Sequence, residues 1–382
     1  MRNPRKVIIV GSAYPLRGGG IATFNERLAK AYQDNGDHVI IYNFKLQYPG
    51  FLFPGKTQYS DEEPPEGLLI KTRINSINPL NWLRVGKEIR EHNADLVIMR
   101  YWLPFMGPCL GTLARKIKKN RVSRIIAITD NVIPHEKRPG DKMLTRYFLK
   151  PVDGCVAMSR SVLNDLDRFD KKKPRELCFH PLYDNFGDPV PRDVALERLG
   201  MEKDWHYLLF FGFVRDYKGL DLLLEAFADS RLRQLRLKLI VAGEFYTDSQ
   251  PYHEIVKKHG LTGRVIMDNA FIPNNEVYMY FCASDLVVQP YKEATQSGVT
   301  QVAYHFDKPM VVSNVGALPE MVPHNKVGYV VNPGVREIAG AILDYFKNNK
   351  MQMFEANIKE EKKKYSWENM ISAIDALIQK IN

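Results

Sequence analysis

Short, continuous apolar runs recur along this chain, each followed by a loop and then an amphipathic segment. RKVIIVGS, HVIIYNF, DLVIMRYW and RIIAITD mark the first half, and YLLFFGF, KLIVAGE, DLVVQP and MVVSN the second. A strand that is apolar on both faces belongs in a parallel sheet covered by helices on both sides. The alternation therefore predicts an α/β chain. Its 382 residues suggest about two domains. The second half repeats the architecture of the first without repeating its sequence. The Pro- and Gly-rich stretch ELCFHPLYDNFGDPVPRD reads as the connection, with residues 1–182 as the first domain and 183–365 as the second.

Charge is unevenly divided. Residues 1–182 hold 31 Lys and Arg against 18 Asp and Glu, and the remainder holds 23 against 26, for a net +10 overall. A first half at +13 points to an anionic partner. Nucleic acid and an anionic membrane surface are both candidates, beside a solvated basic face without a partner, and no recognised nucleic-acid module is present. The four cysteines (Cys109, Cys155, Cys178 and Cys282) are scattered, without metal or disulfide spacing. They read as reduced cysteines of a cytoplasmic protein. The run VIIVG near the N-terminus is too short for a signal segment, and no run approaches the ~18 apolar residues of a membrane span.

Four loops carry candidate chemistry. In QPYKEATQSGVTQVAYHF, an apolar strand delivers a small-residue loop to a helix start. First-turn N–H groups lack intrahelical partners and the helix dipole favours an anion there, so Thr295, Gln296, Ser297 and Gly298 sit where a phosphate would be cradled. In VRDYKG, Arg215 and Lys218 leave a buried strand three residues apart. A planar donor fork beside a compact point charge suits a diphosphate. AYPLRGGG follows the first strand, and Gly18, Gly19 and Gly20 would let backbone approach a phosphate closely. This is not the dinucleotide fingerprint: Gly11 stands alone and strand two ends at Asn43 without an acidic ribose partner. NVIPHEKRPGDK leaves the C-terminal end of a parallel strand, where ligand groups collect. It offers Asp130, Asn131 and the ionisable pair His135 and Glu136.

Taken together, FFGFVRDYKGLDLLLEA, PYKEATQSGV, KPMVVSNVGALPEMV and GYVVNPG resemble the C-terminal half of family-4 glycosyltransferases. GSAYPLRGGGIATFNERLAKAY resembles the start of their N-terminal half. The resemblance covers most of the chain in order. It implies a GT-B fold, two Rossmann-like domains with parallel sheets facing a central cleft, the last helix (from Ser366) crossing back to the first domain. It also implies transfer of a sugar from a nucleotide diphosphate-sugar, with retention and without a metal or other cofactor. By position, Arg215 and Lys218 correspond to the family's diphosphate pair, with the Arg displaced: Phe213 holds its usual place after Gly212. Gly18 to Gly20 and Thr295 to Gly298 correspond to loops around the donor.

One departure matters. The family has a Glu in the donor loop and a second Glu eight residues later, for the donor sugar and the ribose. Gapless alignment puts Ala294 and Val302 there, while Glu293 and Gln301 keep the spacing one residue earlier. Donor recognition is then expected either from Glu293 and Gln301 or from Thr295, Gln296 and Ser297. His135, with Asn131 or Asp130 as alternatives, is the candidate for contacting sugar or acceptor. The expected partners are a nucleotide-sugar donor, a glycan or lipid-diphosphate acceptor and an anionic membrane surface at the inner face of the cell membrane, with no nucleic acid. A GT-B sugar-nucleotide epimerase and a non-catalytic sugar-nucleotide-binding protein are the competing readings.

Overall fold

The computed structural model describes residues 3–17, 20–50, 58–60, 63–134, 138–294 and 297–381. The expectations placed on Gly18, Gly19, His135, Glu136, Thr295 and Gln296 lie outside these residues. The chain divides into two compact units, Met1–Pro181 with Ser366–Asn382, and Leu182–Tyr365.

The first unit contains β1 (Lys6–Val10), α1 (Ile21–Asp34), β2 (His38–Leu46), β3 (Ile70–Asn75), α2 (Pro79–Glu91), β4 (Leu96–Tyr101) and α3 (Gly107–Ile117). It continues with β5 (Arg124–Thr129), α4 (Asp141–Leu149), β6 (Gly154–Ala157), α5 (Arg160–Asp167) and β7 (Arg175–Leu177). All seven strands are parallel, in the order β3-β2-β1-β4-β5-β6-β7. The continuous apolar runs become central strands: β4 is buried at every position and β5 at all but its first. Right-handed crossovers put α1 on one face of the sheet and α2 to α5 on the other. Small residues let the second layer close up. A Cβ on Gly86 would lie 2.7 Å from Lys116 Cβ, and one on Gly107 2.5 Å from the Leu144 carbonyl oxygen. Asn78 caps α2 by accepting from Asn81 N, with Pro79 in the first turn, and Ser159 caps α5.

The second unit contains α6 (Arg192–Arg198), β8 (His206–Phe211), α7 (Leu220–Phe227), α8 (Ser230–Arg233), β9 (Leu237–Ala242), α9 (Gln250–Lys258), β10 (Val265–Asp268), α10 (Val277–Ala283) and β11 (Leu286–Gln289). It continues with α11 (Gly298–His305), β12 (Met310–Ser313), α12 (Leu318–Met321), β13 (Gly328–Val331), α13 (Val335–Lys347) and α14 (Met351–Glu361). Its parallel sheet runs β10-β9-β8-β11-β12-β13. The chain then adds α15 (Trp367–Ile381) to the first unit, against β6, β7 and α1. Trp367 meets Phe24 edge-on at 5.0 Å, and Gly154 leaves room for Leu377.

Several elements depart from the sequence reading. Arg175–Leu177, read as solvated surface and linker, pairs with β6 as an edge strand. Helices α4, α6 and α14 and the short α8 and α12 were not expected. No helix among the described residues is long and apolar enough to cross a membrane.

Candidate functional site

In the second unit the strand order reverses between β8 and β11. Open α/β sheets usually bind ligands outside the C-terminal ends of the strands at such a reversal, and the loops leaving β8 and β11 meet there. Glycine geometry brings the surrounding loops together. Gly243 has φ +145°, and a Cβ there would lie 2.3 Å from the Gly212 carbonyl oxygen. Gly219 has φ +67°, and its Cβ would lie 2.1 Å from the Pro290 carbonyl oxygen. Only glycine permits both the left-handed backbone and the approach. The loops after β8 and β11 are further joined by Lys292 N donating to the Tyr217 carbonyl at 2.7 Å and by Lys292 Nζ on Asp221 at 2.8 Å.

Lys218 rises from this junction. A Cβ placed on Gly212 would be 3.2 Å from its Nζ, and the ammonium lies 5.7 Å from the centre of the Tyr291 ring. Loss of solvent, and then the charge of Arg215, push its pKa down to about 8. Neither Lys218 nor Arg215 pairs with a carboxylate among the described residues, although the nearby Lys292 does. A desolvated cation without a counter-charge is costly and is the kind of perturbed group that marks a binding site. Arg215 itself lies over the Tyr246 ring at 5.0 Å. Tyr246 packs on Phe213 at 4.6 Å, and Phe213 on Phe271 at 6.2 Å. Phe213, the residue after Gly212, thus joins Tyr246 and Phe271 in a group of rings on which the Arg215 guanidinium rests.

The α11 start adds backbone donors. Ser297 occupies the N-cap position but does not cap. Its hydroxyl donates instead to Gln289 Oε1 at 2.6 Å, and Thr300 donates to the same oxygen at 3.1 Å. The first-turn N–H groups of α11 therefore have no side-chain cap among the described residues. Gly298 faces Tyr183, where a Cβ would be 2.9 Å from the ring, while Val299 faces Gly212. Residues three apart share a helix face, so Gln301 lies on the Gly298 side and Val302 on the Val299 side. Gln301 is fully buried, and both polar atoms of its amide lack a partner among the described residues. Glu293 is exposed on the loop. The structure thus brings Arg215, Lys218, Ser297 and Gly298 to one edge of the sheet. It sets Gln301 on the helix side away from Val299.

In the first unit, Gly20 opens α1 with φ +49° and no side-chain cap. Asn131 is half-buried just past β5. Asp130 is committed elsewhere: it accepts from Arg100 Nε and Nη2, both at 2.6 Å. The Arg100 guanidinium also stacks 3.8 Å above the Phe24 ring. Phe24 meets His180 at 5.0 Å. Burial and then the Arg100 charge hold the His180 imidazole neutral, with a pKa near 3. Asp130 and His180 therefore brace the start of α1. No group of three His, Cys, Asp or Glu that could hold a metal occurs among the described residues. Sequence reasoning missed Gln289, Tyr183 and Tyr246. Tyr183 and Tyr246 come from separate segments, with no local pattern to tie them to the loops they meet, whereas Gln289 opens the loop segment itself, eight residues before Ser297.

Comparison with known proteins follows this geometry. Residues 18–176 match the model described as Glycosyltransferase Family 4, and residues 206–348 the one described as Glycosyl transferases group 1. An uncharacterized glycosyltransferase of Methanocaldococcus jannaschii is 24% identical over 393 aligned residues, 99% of this chain and 99% of that protein. The D-inositol 3-phosphate glycosyltransferase of Thermobifida fusca is 26% identical over 82% of this chain and 77% of its own length. Among solved structures, sucrose-phosphate synthase of Thermosynechococcus elongatus superposes with a TM-score of 0.73 at 18% identity, covering 99% of both chains. Anabaena HepE in complex with UDP gives 0.73 at 16% identity, covering 98% of this chain and 100% of that one.

Proposed function

The chain belongs to the group 1, family 4 glycosyltransferases, and we propose that it moves a sugar from a nucleotide diphosphate-sugar to a glycan or lipid-linked acceptor, with retention and without a metal. The observation that carries this reading is Lys218, a desolvated ammonium whose charged neighbour is Arg215 and which has no carboxylate of its own among the described residues. The chemical task in such a transfer is to stabilise the negative charge that builds on the departing diphosphate. Fixed cations and oriented N–H dipoles aimed at that charge perform it. Lys218, Arg215 and the uncapped start of α11 are assigned that role, with Ser297 and Gly298 at the phosphates. Retention rests on the family resemblance alone. HepE of Anabaena has been seen with UDP and with UDP-glucose, which makes uridine nucleotides the first donors to try. The acceptor is assigned to the basic first unit, and an anionic membrane face to the place of work.

A thermal-shift panel of UDP, ADP, GDP and their sugar conjugates tests the donor site. A ligand that binds only the folded state adds about 2.7 kcal/mol at a hundred times its Kd. One nucleotide series is expected to stabilise the wild type and to leave Arg215→Ala/Lys218→Ala unshifted. Equal stabilisation of both proteins would remove these two residues from the site.

A further inference from the structure

A cavity of about 410 Å³ opens on the first unit at the N-terminal ends of β1 and β2, the opposite edge of the sheet from Gly20 and Asn131. Strand register builds it. Side chains two apart share a face of a sheet, and across β1, β2 and β3 Lys6 stands beside His38, Ile8 beside Ile40 and Tyr42 beside Lys71. Ile8 and Tyr42 pack with Val85 and Ile89, so this is the face that α2 covers. Helix α2 ends at Glu91, and the chain turns back towards β4 through His92 and Asn93, the latter at φ +46°. His92 of this turn lines the cavity together with Lys6, His38, Leu69 and the apolar Ile8 and Ile40. Leu69 is 54% exposed.

The side-chain groups left open here are mainly donors. Glu88 and His92 are four residues apart and share a helix side. Tyr42 Oη donates to Glu88 Oε1 at 2.9 Å and lies 3.0 Å from His92 Nε2, while Lys71 Nζ lies 3.2 Å from the same ring nitrogen. A lysine ammonium can only donate, so Nε2 accepts and the imidazole proton sits on Nδ1. That N–H has no partner among the described residues. Loss of solvent, and then the Lys71 charge, lower the pKa of the ring and keep it in this neutral form. Lys6 and His38 are exposed, and among the described residues neither side chain has a partner. The neighbouring carboxylates are engaged. Asp37 accepts from Arg5 N at 2.9 Å and from Arg5 Nη2 at 3.3 Å, Asp95 accepts from Lys6 N at 2.7 Å, and Glu88 holds Tyr42 and Lys71.

These groups select a ligand chemistry. A neutral sugar needs acceptors for its hydroxyl protons, and the carboxylates here are taken. A bare inorganic ion would leave Ile40 and Leu69 in water. An organic anion satisfies both sides, its head at Lys6, His38 and the His92 Nδ1–H and its body on Ile8, Ile40 and Leu69. The volume falls within the roughly 300–1,000 Å³ of small-molecule sites.

We propose that this cavity is a second ligand site, which takes a small organic anion with a carboxylate or phosphate head on an apolar body. It lies away from the C-terminal strand ends where reacting groups collect, so this ligand is additional to donor and acceptor.

The test follows the histidine ring nitrogens of the full chain by NMR on isotope-labelled protein, with His92→Asn and His38→Gln used to assign the signals. Phenyl phosphate and benzoate are the probes, with inorganic phosphate and acetate as the heads alone. The free protein is expected to carry the His92 proton on Nδ1. At least one probe should shift the His92 and His38 signals saturably, with half-saturation at least about ten-fold below that of its head. Lys6→Met should weaken that probe at least about ten-fold, and Leu69→Ser should weaken the probe while leaving the head alone. Lys142→Met removes an exposed charge from α4 and should change binding by less than about two-fold, since that charge is screened. The remaining histidine signals check that each variant is folded. The proposal is overturned by a His92 proton on Nε2, by the absence of a saturable shift with either probe, or by equal binding of probe and head, which means an adventitious ion only. A loss in Lys6→Met no larger than in Lys142→Met also overturns it. Arg215→Ala/Lys218→Ala should bind the probe as the wild type does. Loss there would assign the shift to the donor site and overturn the second one, whereas the nucleotide thermal shift tests the donor site by itself.

Discussion

Replacing Lys218 by Met should make the free protein more stable and the donor site useless. A fall in pKa from 10.5 to about 8 corresponds to about 3 kcal/mol of penalty at ~1.4 kcal/mol per unit. The side chain is partly exposed, so about 2 kcal/mol is the expected effect after solvent screening. Methionine matches the unbranched stem of the lysine and removes the charge. Below pH 8 both folded and unfolded chains hold the proton, and the full penalty stands. Between about 8 and 10.5 the folded wild type releases the proton and its penalty fades, so the advantage of Lys218→Met should shrink over that window. In a unit the size of Leu182–Tyr365, about 2 kcal/mol raises Tm by roughly 4–8 °C. Calorimetric melts at pH 7 and pH 9.5 measure this, and titration with UDP measures the loss. A hydrogen bond to a charged group contributes about 1.5–3 kcal/mol, so UDP affinity should fall by roughly 10- to 150-fold. A Lys218→Met protein less stable than wild type at pH 7 would refute the reasoning, because the ammonium would then have a counter-charge. A stability gain identical at both pH values would refute the assigned titration.

Two further outcomes are expected. Gly219→Ala forces a Cβ to 2.1 Å from the Pro290 carbonyl at φ +67°. It should cost well over the ~1 kcal/mol of a positive-φ glycine alone in urea unfolding, whereas Gly200→Ala, with open space around it, should cost about that ~1 kcal/mol. His180, neutral in the fold with a pKa near 3, takes up a proton on unfolding below pH 6.5. Its contribution therefore falls by about 1.4 kcal/mol per pH unit as pH drops from 6.5 towards 3, and His180→Phe should flatten the stability slope between pH 6.5 and 5. An unchanged slope would mean that the imidazole reaches solvent.

The strands were legible because a sheet covered on both faces demands continuous apolar runs, and VIIV and LVIMRY are too short to be anything but buried strands or helix segments. The edge was not. Arg175–Leu177 is half-buried throughout, so no apolar signal distinguishes it from the charged turn before it. Helix α6 buries only Ala195 and Leu196, and the buried stripe of α14 is Phe354, Ile358 and the charged Glu361, so neither writes a clear apolar pattern into the sequence. In the candidate site, Arg215 and Lys218 could be found because they share one loop. Asp130 could not be separated from a free ligand-facing carboxylate, because its partner Arg100 stands on the neighbouring strand β4. Tyr246 was invisible for the same reason: sheet order, not sequence distance, places it beside the loop after β8.

The departures from the family pattern fit one another. The resemblance puts carboxylates where Ala294 and Val302 stand, and Val302 lies on the helix side that Val299 turns towards Gly212 and Lys218. A carboxylate on that side would lie near a desolvated ammonium and offer it a partner. With valine there, Lys218 keeps its charge unpaired among the described residues. Phe213 acts in the same direction: it takes the usual arginine's place, and the guanidinium arrives from Arg215 instead, carried on Tyr246. On the proposed function, what this site lacks in acceptors for sugar and ribose hydroxyls it holds as positive charge unpaired among the described residues, so donor recognition there would be weighted towards the diphosphate that every nucleotide-sugar shares.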